Sequence, residues 1–275
     1  MKRIFALIIF NFSFLFFNVA YAQCPVKNTA FQSGERLEYK LYFNWKFIWK
    51  TAGSATMTTK STTYQGKPAY QTDLITRTEK IVDKWFCMRD TLQSIYTTDV
   101  VPLYYRKGAS EGGKYRLNEI SYTYSGGQTH LHEYYQRSID NISIVDHHTT
   151  ACAFDMISMM MHTRSAKASD FTVGQRIPIN FADADRINHE TLIYRGIKKF
   201  TTEETKTTYR CLVFSYLEKN AKGKEKEVVT FYITDDENHI PVRLDLYLRF
   251  GVAKAYLKEA YGLRNPETSI IKKQR

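Results

Sequence analysis

His130 and His132 stand two residues apart in a run that alternates apolar and polar side chains. On a strand this spacing turns both imidazoles to one face, where they could share a metal, with Glu133 turned away from them. Asp146-His147-His148 is a second histidine cluster, and the two could build a zinc site only if the fold brings them together. Asp183-Ala184-Asp185 offers carboxylates to a hard cation. It lacks the following glycine and distal glutamate of a calcium loop, so it reads as a turn. We expect no metal and no other cofactor, with His130 and His132 as the weak metal candidates.

Covalent chemistry finds less support. The chain has no Gly-x-Ser-x-Gly elbow, no His-Glu-x-x-His and no phosphate-binding glycine loop. Hydrolysis by two carboxylates needs only two acids a few ångströms apart, which 28 Asp and Glu could supply anywhere. No catalytic residue is therefore named. The aromatic residues are more suggestive: Trp45, Phe47 and Trp49 alternate, as do Tyr122 and Tyr124. Aromatic faces on a curved sheet stack sugars or line apolar pockets. Trp45, Trp49, Tyr122 and Tyr124 are thus the candidate ligand-binding residues, with core packing as the competing explanation for each.

The elements that carry these residues follow from a period of two. Leu37, Tyr39, Leu41 and Phe43 alternate with Arg36, Glu38, Lys40 and Tyr42, and Val242, Leu244, Leu246, Leu248 and Phe250 repeat the pattern. Such alternation marks half-buried strands. Turn signals divide them, including Gly126-Gly127, Asn220-Ala221-Lys222-Gly223 and Asp235-Asp236-Glu237-Asn238. Short connections favour an antiparallel meander, because parallel strands need long crossovers. One helix is expected over Cys152–Ser165, with Phe154, Ile157, Ser158 and Met161 on one face. A short second helix is expected near Ile81–Phe86.

Residues 1–22 read as a signal peptide: Lys2-Arg3, then an apolar stretch to Val19, then Ala20-Tyr21-Ala22 as the cleavage site. A membrane-spanning reading competes, as does a lipid-modified Cys24, although Tyr21 and Gln23 fit a lipobox poorly. No second long apolar run follows. Removal of Lys2 and Arg3 lowers the net charge from +11 to +9. The remaining basic residues are scattered, so nucleic acid is not an expected partner, while anionic envelope polymers and lipid headgroups are. Cys24, Cys87, Cys152 and Cys211 could form disulfides after export, in three pairings that the sequence does not rank.

Several segments, in order, resemble the bacterial exported family catalogued as domain of unknown function 3108. They are Gly34-Glu35-Arg36-Leu37-Glu38-Tyr39 followed by Ala52-Gly53-Ser54-Ala55, and Phe154-Asp155-Met156-Ile157-Ser158 with Arg164. Val173-Gly174-Gln175-Arg176-Ile177-Pro178-Ile179 is next, then Tyr209-Arg210-Cys211-Leu212 and Tyr232-Ile233-Thr234-Asp235-Asp236. Ile240-Pro241-Val242-Arg243 and the strands after Gly251 complete the set. The resemblance implies an exported envelope protein of antiparallel β fold and supplies no catalytic residue.

The expectation is a mainly β protein, its antiparallel sheet curved into an incomplete barrel or sandwich with one packed helix near 152–165. A single domain spans 23–265 and a tail spans 266–275. The expected role is non-catalytic: binding an apolar or glycan envelope component on the concave sheet, in the periplasm or at the outer-membrane periphery of a Gram-negative bacterium. An assembly protein and a polysaccharide hydrolase with paired carboxylates are the alternatives.

Overall fold

The computed structural model describes residues 24–45, 48–202, 205–220, 222–248 and 251–273. The expected signal segment 1–22 and Phe47 lie outside them. Eight strands follow one another as an antiparallel meander: β1 (Arg36–Trp45), β2 (Ile48–Tyr64), β3 (Lys67–Thr78), β4 (Met88–Thr97), β5 (Pro102–Glu111), β6 (Lys114–Ser125), β7 (Gln128–Ser138) and β8 (Asn141–Thr149). A four-residue helix α1 (Lys80–Asp83) sits between β3 and β4. After β8 come β9 (Ala153–Phe154) and the helix α2 (Met156–Arg164), and then a second meander. It comprises β10 (Arg176–Asp183), β11 (Arg186–Thr201), β12 (Thr208–Lys219), β13 (Glu225–Thr234), β14 (Pro241–Leu248) and β15 (Gly251–Tyr261), with β16 (Ile270–Lys272) on β12.

Pairing of β1 with β15 joins the two meanders into one sheet, which curls into a nearly closed barrel. The turns act as the residue types demand. Gly126 and Gly127 take φ of 56° and 73° between β6 and β7, the double positive φ of a tight hairpin. Strands alternate in direction, so the connections fall at two ends. One end carries α1 and the β5–β6, β7–β8, β10–β11 and β12–β13 turns. The other carries the β2–β3, β4–β5, β6–β7 and β13–β14 turns and the segment preceding β1.

Helix α2 lies within the barrel and closes the second end. It packs Ile157, Ser158 and Met161, each fully buried, into the larger core with Leu37, Tyr96 and Ile120. Met159 contacts a second core of Leu192, Tyr194, Phe214 and Ile233. The helix begins later than expected, because Asp155 is its N-cap. The Asp155 carboxylate accepts from the Ile157 and Ser158 amides at 2.9 Å, and Ser158 Oγ accepts from the Asp155 amide at 3.1 Å. Cys152 therefore lies before the helix, and Phe154 joins β9. The short second helix also starts and stops earlier than expected.

At the far end of α2, Arg164 is completely buried. It donates to both Glu35 oxygens at 2.6 and 2.8 Å and to the Asn238 carbonyl at 3.0 and 3.2 Å. The Phe31 ring lies 5.5 Å from its guanidinium carbon. Such a bidentate pair satisfies both charges away from water. A disulfide joins Cys24 to Cys152, with Cα atoms 5.8 Å apart, while Cys87 and Cys211 are free thiols. The bridge uses the Cys24 sulfur that lipid modification would need. The stretch 266–275, expected as a tail, instead supplies β16 and the fully buried Ser269. β16 pairs with Thr208 and Tyr209, the part of β12 that precedes its pairing with β13 at Cys211.

Candidate functional site

Toward the end opposite Arg164, inward side chains include Lys107, Asn118 and Glu133 on β5–β7 and Leu246 and Leu248 on β14.

Residues directly opposite in paired strands share a face. Leu246 lies between Val229 and Ala253, and Ala253 faces Phe43. This is the helix-bearing face, since Val229 and Phe231 pack on the core that contains Met159. Even so, Leu246 is 41% exposed and Leu248 45% exposed. Side chains of inward parity that still meet solvent mark the open part of the barrel. This apolar wall follows directly from the alternating sequence of β14.

The facing wall carries titratable groups. Lys107 and Asn118 are cross-strand partners on β5 and β6, and both reach Asp183 Oδ1, at 3.4 and 3.3 Å. Asp183 arrives from the tip of the β10–β11 hairpin, where Ala184 and Asp185 hold positive φ. In the same turn the Asp185 amide donates to Glu133 Oε1 at 3.0 Å. His147 on β8 sits diagonally from Glu133 on β7, its Nε2 3.4 Å from Glu133 Oε2. Glu133 is fully buried, and loss of hydration raises its pKa against the pull of the Asp185 amide and the Asn118 side chain.

Two phenols complete this wall. Tyr105 and Tyr122 are buried, and their hydroxyls have no hydrogen-bond partner. Burial pushes both pKa values far up, with the Asp155 charge adding to the effect, so both keep their protons as donors. Asn118 Oδ1, Glu133 Oε2 and His147 Nε2 also lack a hydrogen bond. Buried polar atoms ordinarily find partners. Among the described residues, five of the six buried side-chain atoms without a hydrogen bond lie along this wall, two of them, Glu133 Oε2 and His147 Nε2, facing each other at 3.4 Å, and the sixth is Ser269 Oγ.

Nearer the mouth, Asp90 shares the face of Leu92. Burial, and then the charge of Glu111, raises its pKa to about 6. Arg116 donates to Glu111 at 3.1 Å.

The sequence candidates fall unevenly about this site. Tyr122 belongs to it. Tyr124 is half-buried and donates to the Pro102 carbonyl at 2.8 Å. Trp45 ends β1, and Trp49 lies opposite Asn44 on β2; their side chains fall outside the described residues. His130 and His132 are on the outer face. His130 Nδ1 meets His148 Nδ1 at 2.7 Å, and His132 Nδ1 meets Asp146 at 2.8 Å. No group of three metal-ligating side chains suited to an ion occurs among the described residues. Glu133, His147 and Asp183 were not singled out as a set by sequence reasoning. The available signal was parity: Glu133 and His147 occupy the inward positions of their strands, where acids and histidines are unusual. A separate cleft of about 320 Å³ is lined by Arg36, Glu38, Lys40, Ser54, Glu79 and Lys258, and Arg36 already pairs with Glu38 at 2.5 Å.

The family description "protein of unknown function (DUF3108)" matches residues 38–258. The chain belongs to the DUF3108 family. No curated protein matches the sequence. Among solved structures, a β-barrel-like DUF1849 protein from Brucella abortus is similar over 86% of this chain and 100% of its own, at a TM-score of 0.52 and 12% identity. That likeness concerns the fold alone. A Bacteroides fragilis protein of YmcC-like fold, assigned as exported, aligns over 86% of this chain and 99% of its own, with 8% identity and a TM-score of 0.36. A Parabacteroides distasonis protein assigned as a lipoprotein does so over the same shares, with 11% identity and a TM-score of 0.29.

Proposed function

We propose that this protein is an exported, non-catalytic binding protein of the Gram-negative envelope that holds an amphiphilic envelope component in the open end of its barrel. An apolar chain would lie against Leu246 and Leu248, and a hydroxyl-rich head of glycan type against Tyr105, Asn118, Tyr122, Glu133 and His147. The observation that carries this reading is the grouping of orphaned buried donors and acceptors on one inner wall. A ligand offering both donors and acceptors would satisfy them at little conformational cost, because the wall is already built. The export signal and the disulfide support an oxidising compartment.

The test is native mass spectrometry of protein purified from a bacterial envelope without delipidation. A bound lipid or glycolipid should be retained by the wild type and weakened about tenfold or more by Glu133→Ala together with Tyr122→Phe. A delipidated sample that takes up neither lipid nor glycan would sink the reading.

Paired-carboxylate hydrolysis draws on Asp90 and its raised pKa. Its geometry is poor, since Asp90 and Glu111 share a hydrogen bond, whereas glycoside hydrolysis separates its acids by roughly 5 Å or more. Release of reducing ends from envelope polysaccharide, abolished by Asp90→Asn, would favour it instead.

A further inference from the structure

The loops at the open end expose large apolar side chains. Trp85 is 90% exposed, Ile81 67% and Phe86 47%, all in the α1 connection between β3 and β4. Ile139, in the β7–β8 turn at the same end, is 82% exposed. Four such residues at the tips of a barrel end are costly to leave in water. Elsewhere α1 is anchored. Asp83 accepts from Thr78 Oγ1 and binds Arg89 at 2.5 Å, which holds the Asp83 carboxyl down at a pKa of about 2. Phe86 rests against Gly112 of the β5–β6 turn, where an added Cβ would approach its ring to 3.2 Å. The apolar tips are therefore presented by a fixed frame.

We propose that this rim docks on the surface of a lipid bilayer, with Ile81, Trp85, Phe86 and Ile139 entering the interface. Two features favour lipid over a protein partner. Three of the apolar residues stand on the α1 connection and the fourth on the β7–β8 turn, four strands away in the sheet, and a fluid surface can receive two separated projections where a rigid partner needs matched pockets. The charges beside them are also suitable. Asp83 is neutralised by Arg89. Lys80, Lys84 and Lys114 are exposed and outnumber Glu79 and Asp140, so the rim complements anionic headgroups. Tryptophan with flanking lysine is the pairing that settles at the headgroup level of a membrane. The docked orientation would turn the open end of the barrel toward the bilayer. The proposal stands on the loops alone and does not require a ligand within the barrel.

The test uses purified mature protein, its mass matching Gln23–Arg275 so that no signal segment confounds the result. Flotation with phosphatidylcholine–phosphatidylglycerol vesicles should carry the protein upward and shift its tryptophan emission to the blue. Binding to phosphatidylcholine alone should be weaker. Ile81→Ser with Trp85→Ser should lower the bound fraction about tenfold or more, whereas Ile197→Ser, an exposed apolar residue of β11 away from this rim, should leave it unchanged. Matching thermal melts establish that the variants fold. Wild type that stays with the unbound fraction, binding insensitive to the rim substitutions, or a dimer that Trp85→Ser dissolves would each overturn the proposal.

Discussion

At the closed end of the barrel the buried charge pair is fully satisfied. Arg164 meets Glu35, Asn238 and Phe31, and Asn238 in turn binds the Asn265 backbone. Along the β5–β8 wall the Tyr105 and Tyr122 hydroxyls have no hydrogen-bond partner and Glu133 faces His147 at 3.4 Å, while at the open end Leu246 and Leu248 remain in contact with water. Both ends use the same strands and the same alternation. The difference teaches that polarity inside a barrel is not one property: a satisfied buried network fixes structure, while an unsatisfied one is a cost kept for another purpose.

Substitutions can break or sharpen this contrast. The largest loss is expected at the closed end. Arg164→Met alone leaves Glu35 buried and unpaired and should cost about 3–5 kcal/mol in denaturant unfolding. Adding Glu35→Leu should recover much of that. A single substitution costing under about 1 kcal/mol would show that the closed end is not the anchor.

Replacing Cys24 and Cys152 by Ser opens a link between residues 128 apart and should remove about 2–5 kcal/mol, or lower Tm in the same sense as reduction does.

Asp155 gives a pH-dependent term. Burial raises its folded-state pKa from the usual 3.8 to about 6, against the hydrogen bonds from Ser158, Ser94 and Ile157. The folded protein therefore takes up a proton in this range. The site opposes folding above about pH 6, and that opposition fades as the pH falls toward 4. Asp155→Asn keeps a capping side chain and cannot ionise. It should stabilise by up to about 3 kcal/mol at pH 8, and by progressively less toward pH 4. A pH-independent difference between the two melts would contradict this.

The β5–β8 wall and the open mouth should respond with the opposite sign or hardly at all. Tyr122→Phe removes an unpartnered hydroxyl and should stabilise by about 1 kcal/mol while weakening ligand retention. Leu248→Ser should change stability by no more than about 0.5 kcal/mol. A loss of several kcal/mol from either would mean that this region, too, is structural core.

Much of the architecture was legible because side-chain parity is local. The run Leu37–Phe43 announces β1, and Gly126-Gly127 announces the β6–β7 turn through backbone freedom that few residues share. The start of α2 was misplaced by four residues, since Asp155 suits both a first turn and an N-cap and only its hydrogen bonds to the Ile157 and Ser158 amides distinguish them. The candidate site was read less well. His130 and His132 stand out by type, yet they face outward, while Leu131 between them and Glu133 just after them face in. Tyr122 was found among the aromatics, but nothing local says that its hydroxyl lacks a partner.

The sequence by itself determined the strands, their turns and the direction each side chain faces, because those depend on neighbours one to four residues away. The family assignment rests on it as well. Only the tertiary structure decided that Arg164 meets Glu35 across 129 residues, that Cys24 pairs with Cys152, and that the Asp183 hairpin reaches Lys107, Asn118 and Glu133. Those pairings depend on how far a twisted sheet curls before its ends approach, a quantity summed over all the strands and written in no single segment.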